Sequence, residues 1–65
     1  MSEICDKIEN LRTEIKEVKK LVKEKVDSTE DYEQIFWINF LIEIKDIDYR
    51  LYDMRNTVPK YEETE

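Results

Sequence analysis

An all-α fold, an antiparallel helical hairpin of coiled-coil character that pairs into a four-helix bundle, is predicted by three features of this 65-residue chain. Apolar residues recur in alternating steps of three and four along two stretches, the stretches are out of phase with each other, and helix-capping residues cluster between them. Size argues for the pairing. A chain this short buries only about 60% of the surface its unfolded form exposes. Small scaffolds therefore rely on disulfides, a metal or a partner chain. One cysteine and no histidine leave the partner chain.

The first seam runs Ile4, Ile8, Leu11, Ile15, Val18, Val22 and predicts a helix over about 2–26. Ser2 is its expected N-cap. Glu3 and Asp6 fall in the first turn, and Lys19, Lys20, Lys23 and Lys25 in the last two, so charge complements the helix dipole at both ends. The second seam runs Trp37, Phe40, Ile44, Ile47, Leu51, Met54, Val58 and predicts a helix over about 31–57. From Val22 to Trp37 is fifteen residues, one more than two heptads, so one unbroken helix would rotate the stripe off its face. A turn is placed at 27–31, where Asp27 with Glu30 and Ser28 with Asp31 form overlapping capping patterns.

Folded back there, the two seams fall into register. Ile4 faces Met54, Ile8 faces Leu51, Leu11 faces Ile47, Ile15 faces Ile44, Val18 faces Phe40 and Val22 faces Trp37, and these twelve residues are the expected hairpin core. The flanking pairs Glu3 with Arg55, Glu9 with Arg50, Arg12 with Asp46 and Lys16 with Glu43 have opposite signs in the same register. Pro59 removes a backbone donor and is expected to end the second helix, leaving 1–58 as a single hairpin domain and 59–65 as a flexible acidic tail.

The second helix carries more apolar surface than one neighbour can cover. Ile35, Phe36, Ile38, Leu41, Ile42, Tyr49 and Tyr52 lie off its seam and are the expected oligomer or partner interface. Asn39, Glu43, Asp46, Arg50 and Asp53 form its one polar edge.

Chemistry is harder to find than surface. Without histidine or glycine there is no ordinary acid/base pair and no phosphate-cradling loop, so no catalytic residue, cofactor or metal is expected. Cys5 near a helix start reads as a small flanking residue ahead of a reactive thiol. Asp46, Asp48 and Asp53 read as solvated charge, because residues two apart do not face each other on a helix. Lys16, Lys19, Lys20, Lys23 and Lys25 read as a solvated face, being interrupted by Glu17 and Glu24 and lacking interleaved aromatics. The formal charge is −6, with eleven acids against four bases beyond residue 26. That balance opposes direct nucleic-acid binding. It also allows Asp27, Glu30, Asp31, Glu33 and the acidic tail to imitate a phosphate backbone toward a basic protein, though plain surface acidity is commoner.

Ile4-Cys5-Asp6-Lys7-Ile8-Glu9-Asn10-Leu11-Arg12 resembles the opening of the short helical-hairpin phosphatases that remove aspartyl phosphate from sporulation regulators in spore-forming bacteria. The resemblance covers about a seventh of the chain and implies a regulator acting on a phosphorylated response regulator. That family's Ser-Gln-Glu-Leu-Asp signature is met here by Ile44-Lys45-Asp46-Ile47-Asp48, which keeps only the acid and the aliphatic position, and no functional residue carries over.

The function expected from the residues themselves is a non-catalytic interaction module, a small acidic homo-oligomeric regulator or inhibitor of another protein. The alternatives are an assembly factor acting through self-association and the phosphatase-like regulator. Expected partners are a second copy, as homodimer or tetramer, and another protein. Nucleic acid, membrane and small-molecule substrate are not expected. No apolar stretch reaches the length of a membrane span, so a cytoplasmic setting follows. The richness in Ile, Lys, Glu and Tyr, with no glycine or alanine, suits an AT-rich genome and a phage or mobile-element product.

Overall fold

A computed structural model describes residues 2–62 and contains two α-helices, α1 (Glu3–Ser28) and α2 (Asp31–Glu62), folded back as an antiparallel hairpin. Its Cα extents are 53 × 15 × 9 Å, which is one layer of helices, whereas stable domains stack at least two layers around a core.

Both ends of α1 are closed by side chains. The Ser2 hydroxyl accepts from the Cys5 amide at 3.2 Å, as an N-cap does. At the other end the hydroxyls of Ser28 and Thr29 donate to the Lys25 carbonyl at 3.4 and 2.6 Å. The Gln34 side-chain amide reaches back from α2 to the Val26 carbonyl at 2.9 Å. Asp27 and Ser28 were expected to open the turn, yet both lie within α1, and the break narrows to Thr29 and Glu30. The reversal needs one left-handed residue. With no glycine in the chain Asp31 supplies it, at φ 56°, a conformation that short polar side chains tolerate better than others.

Pro59 does not end α2, which continues through it to Glu62. Proline cannot donate to the carbonyl four residues back, which is that of Arg55. The Cys5 thiol instead donates to that carbonyl at 3.6 Å, so α1 supplies the bond that Pro59 withholds. Of the expected tail, residues 59–62 are therefore helical, and 63–65 lie outside the described residues.

The two helices meet along a seam that is rotated from the expected one. Ile8, Val22 and Ile44 are the buried apolar residues, and Ile15, Trp37 and Leu51 are half-buried in the same rows. These layers pair as expected. Between them the seam is closed not by Ile4, Leu11 and Val18 but by Cys5, Arg12, Lys19 and Val26, and on α2 not by Phe40, Ile47 and Met54 but by Gln34, Leu41 and Asp48. Contacts fix this register: Cys5 to the Arg55 carbonyl, Arg12 Nε to Asp48 Oδ1 at 3.3 Å, and Gln34 to the Val26 carbonyl. Each helix has turned roughly 50°, one heptad position, toward its polar row.

The ion pairs move with the seam. Arg12 pairs with Asp48 and not Asp46, and its guanidinium lies 5.0 Å from the Tyr52 ring centroid. Glu9 accepts from Arg55 at 3.0 Å and from Arg12 at 3.4 Å, and not from Arg50, which pairs with Asp46 at 3.1 Å within α2.

Two outcomes follow. Replacing Asp31 with Gly relieves the left-handed strain at some cost in chain entropy, for a net gain of about 0.5 kcal/mol read as a small rise in thermal midpoint. Asp48→Leu leaves half-buried Arg12 with the Glu9 carboxylate alone and lowers stability by about 1–2 kcal/mol, while Arg12→Leu with Asp48→Leu regains most of it, as a double-mutant cycle by denaturant unfolding will record.

Candidate interaction surface

The rotation of both helices has a geometric consequence. On antiparallel helices, turns of the same sense swing side chains toward the same side of the pair. Ile4, Leu11 and Val18 of α1 and Phe40, Ile47 and Met54 of α2, all expected in the core, thus lie together on one broad side of the hairpin, the front face. Each is between 39% and 53% exposed, too open for a core and too apolar for an ordinary surface.

Toward the turn this face widens. Leu21 and Phe36 extend it, and Phe36, Trp37 and Phe40 form an aromatic cluster with ring centroids 5.0 to 5.9 Å apart. Val18, Leu21, Val22, Trp37 and Phe40, with Glu24, Lys25 and Ser28 at the edge, line an open groove of about 620 Å³. The Trp37 indole Nε1 is buried here without a hydrogen-bond partner among the described residues.

The opposite side, the back face, is built differently. Ile35, Ile38, Ile42, Tyr49 and Tyr52 form a second exposed stripe on α2, in steps of three, four, seven and three. The α1 residues on that side are Glu9, Lys16 and Lys23 with Asp6, Thr13 and Lys20, so the apolar stripe belongs to α2 alone and is bordered by Asp6 and Glu9 toward the chain ends and by three lysines toward the turn.

Of the seven residues expected to form the interface, these five share the back face. Leu41 is instead half-buried in the hairpin seam, and Phe36 belongs with the front-face aromatics. The residues that sequence reasoning left outside the seam are its polar members, Arg12, Lys19, Gln34 and Asp48. A signal for them existed, since Arg12 and Asp48 are opposite in sign and share heptad spacing with Cys5 and Arg55.

No group of three or more metal-ligating side chains occurs among the described residues. Asp46 is engaged by Arg50 and Asp48 by Arg12. No helix among the described residues is long and apolar enough to cross a membrane. No family model, curated protein or solved structure matches this chain.

Proposed function

We propose that this chain is a non-catalytic protein–protein interaction module, a small acidic helical protein that self-associates and acts as a regulator or inhibitor of another protein in the cytoplasm. The observation that carries the reading is the imbalance of its apolar surface. Among the described residues fifteen large apolar or aromatic side chains are exposed, against three that are buried. Scattered exposed apolar residues need no explanation, but all of these except Tyr32 and Tyr61 fall into two rows that run along opposite sides of the hairpin.

The two rows suit different occupants. The front face is apolar on both helices at each level and suits a second helical layer. The back face offers an apolar stripe beside Lys16, Lys20, Lys23 and Lys45, which suits an amphipathic helix whose polar border is acidic. Tyr49 and Tyr52 are the expected anchors there, since tyrosine combines a large apolar ring with a polar end. Ordering a partner helix on preformed α2 costs less than ordering both sides.

The reading is tested by comparing the native chain with an Ile38→Glu, Ile42→Glu double variant, both immobilised and exposed to extract of the source cells. The expected result is one protein held in fixed ratio by the native chain and lost by the variant, while light scattering after size exclusion gives both chains the same oligomeric mass. Equal capture by both chains, or capture by neither, would sink the assignment of the back face to a partner.

A further inference from the structure

We propose that two copies of this chain pair through their front faces with the hairpins antiparallel, on a two-fold axis lying in the interface across the helices at the level of Leu11 and Ile47. The proposal rests on the self-association reading above and specifies its surface, direction and register.

Surface area says that a second copy fits. The chain exposes 5543 Å². A folded monomer of 8.0 kDa exposes about 4450 Å². The surplus of about 1100 Å² exceeds the roughly 800 Å² that each partner contributes to a standard interface. A second hairpin laid on the front face turns one layer of helices into the two that a core requires. The back face is a poorer candidate for this contact, because closing it on itself would take Lys16, Lys20 and Lys23 of both copies out of water.

The charges at the rim of the front face choose between the two symmetric arrangements. Next to its apolar row α1 carries Lys7, Glu14 and Leu21, and α2 carries Arg50, Glu43 and Phe36. Antiparallel packing sets Lys7 level with Arg50, Glu14 with Glu43 and Leu21 with Phe36. From the chain ends toward the turn, both rims therefore run basic, acidic, apolar. With the two-fold axis along the hairpin, α1 of one copy lies over α2 of the other at equal height. Glu14 then meets the partner's Glu43, and Lys7 meets the partner's Arg50.

With the axis across the hairpin, each helix lies over its own copy running the other way. Lys7 then meets the partner's Glu14, and Glu43 meets the partner's Arg50. The apolar row keeps the same centre: Ile4 falls on the partner's Val18, Phe40 on the partner's Met54, and Leu11 and Ile47 on their own copies. Sliding one copy by a heptad puts either the acids or the bases on their own copies. A single register satisfies both rows, and it overlaps α2, Asp31–Glu62, along its whole length, because the midpoint of that helix falls at Asp46 and Ile47.

The experiment uses the full chain in a Cys5→Ser background, where the serine hydroxyl keeps a donor for the Arg55 carbonyl. Leu11→Cys and Ile47→Cys are each oxidised, with Ile42→Cys as the back-face control. Each front-face variant is expected to form a disulfide-linked dimer and the control none. In a mixture, Leu11→Cys and Ile47→Cys chains are expected to link with their own kind. In otherwise native chains, sedimentation equilibrium is expected to show Glu43→Arg weakening the dimer by about tenfold and Glu43→Arg with Arg50→Glu restoring it.

Cross-linking through Ile42→Cys alone would overturn the front face while leaving self-association standing. Mixed Leu11–Ile47 links, with a dimer tightened by Glu43→Arg, would overturn the antiparallel direction. A native chain that sediments as a monomer throughout would remove the self-association reading itself.

Discussion

The pair between Arg12 and Asp48 is the constraint on which the hairpin depends. Two helices with apolar rows at Ile8, Ile15, Val22 and at Trp37, Ile44, Leu51 can close on either flank of those rows, because the apolar flank and the polar flank lie one heptad position apart on each side. The apolar flank offers more area to remove from water. The polar flank offers matched partners: a guanidinium for a carboxylate, a thiol for the carbonyl orphaned by Pro59, and a side-chain amide for the last turn of α1. Closing on the apolar flank would leave those groups in water without these partners, so the polar flank is distinguished by the hydrogen bonds and the ion pair it forms across the hairpin. Both ion-pair side chains are about one-fifth exposed, so the pair is partly screened, and its contribution lies more in orientation than in bulk stability.

Choosing the polar flank leaves the apolar one open, and the two facts belong together. A hairpin closed on Ile4, Leu11, Val18, Phe40, Ile47 and Met54 would satisfy itself and present charge to its surroundings. The rotated hairpin spends little apolar surface inside and presents a row along each helix. Its extent of 9 Å in the thinnest direction says the same in other terms, since a single helical layer encloses no interior. The natural unit of such a chain is an assembly, and α2, apolar on three of its sides, is the element around which the assembly is organised.

The cost of the fold is concentrated at its turn. A two-residue break between long helices requires a left-handed residue, and a chain without glycine must use Asp31. The compensation is local: Ser28, Thr29 and Gln34 satisfy carbonyls of the last turn of α1. Cys5 and Pro59 form a similar pairing at the other end of the hairpin, where one helix supplies the donor that the other lacks.

Much of this was legible from residue order alone. Helix number, the antiparallel fold-back, the Ser2 cap and the pairing of Ile8 with Leu51, Ile15 with Ile44 and Val22 with Trp37 follow from the steps of three and four and from capping chemistry, because these are local properties of a helix. The choice between Leu11 and Arg12, or between Ile47 and Asp48, as the seam residue was not legible in the same way. Both rows have heptad spacing, and hydrophobicity alone favours the wrong one for the isolated hairpin. Only the tertiary structure brings Arg12 to Asp48, Cys5 to the Arg55 carbonyl and Gln34 to the Val26 carbonyl, and it decides the rotation of both helices because those contacts form across the hairpin, from one helix to the other.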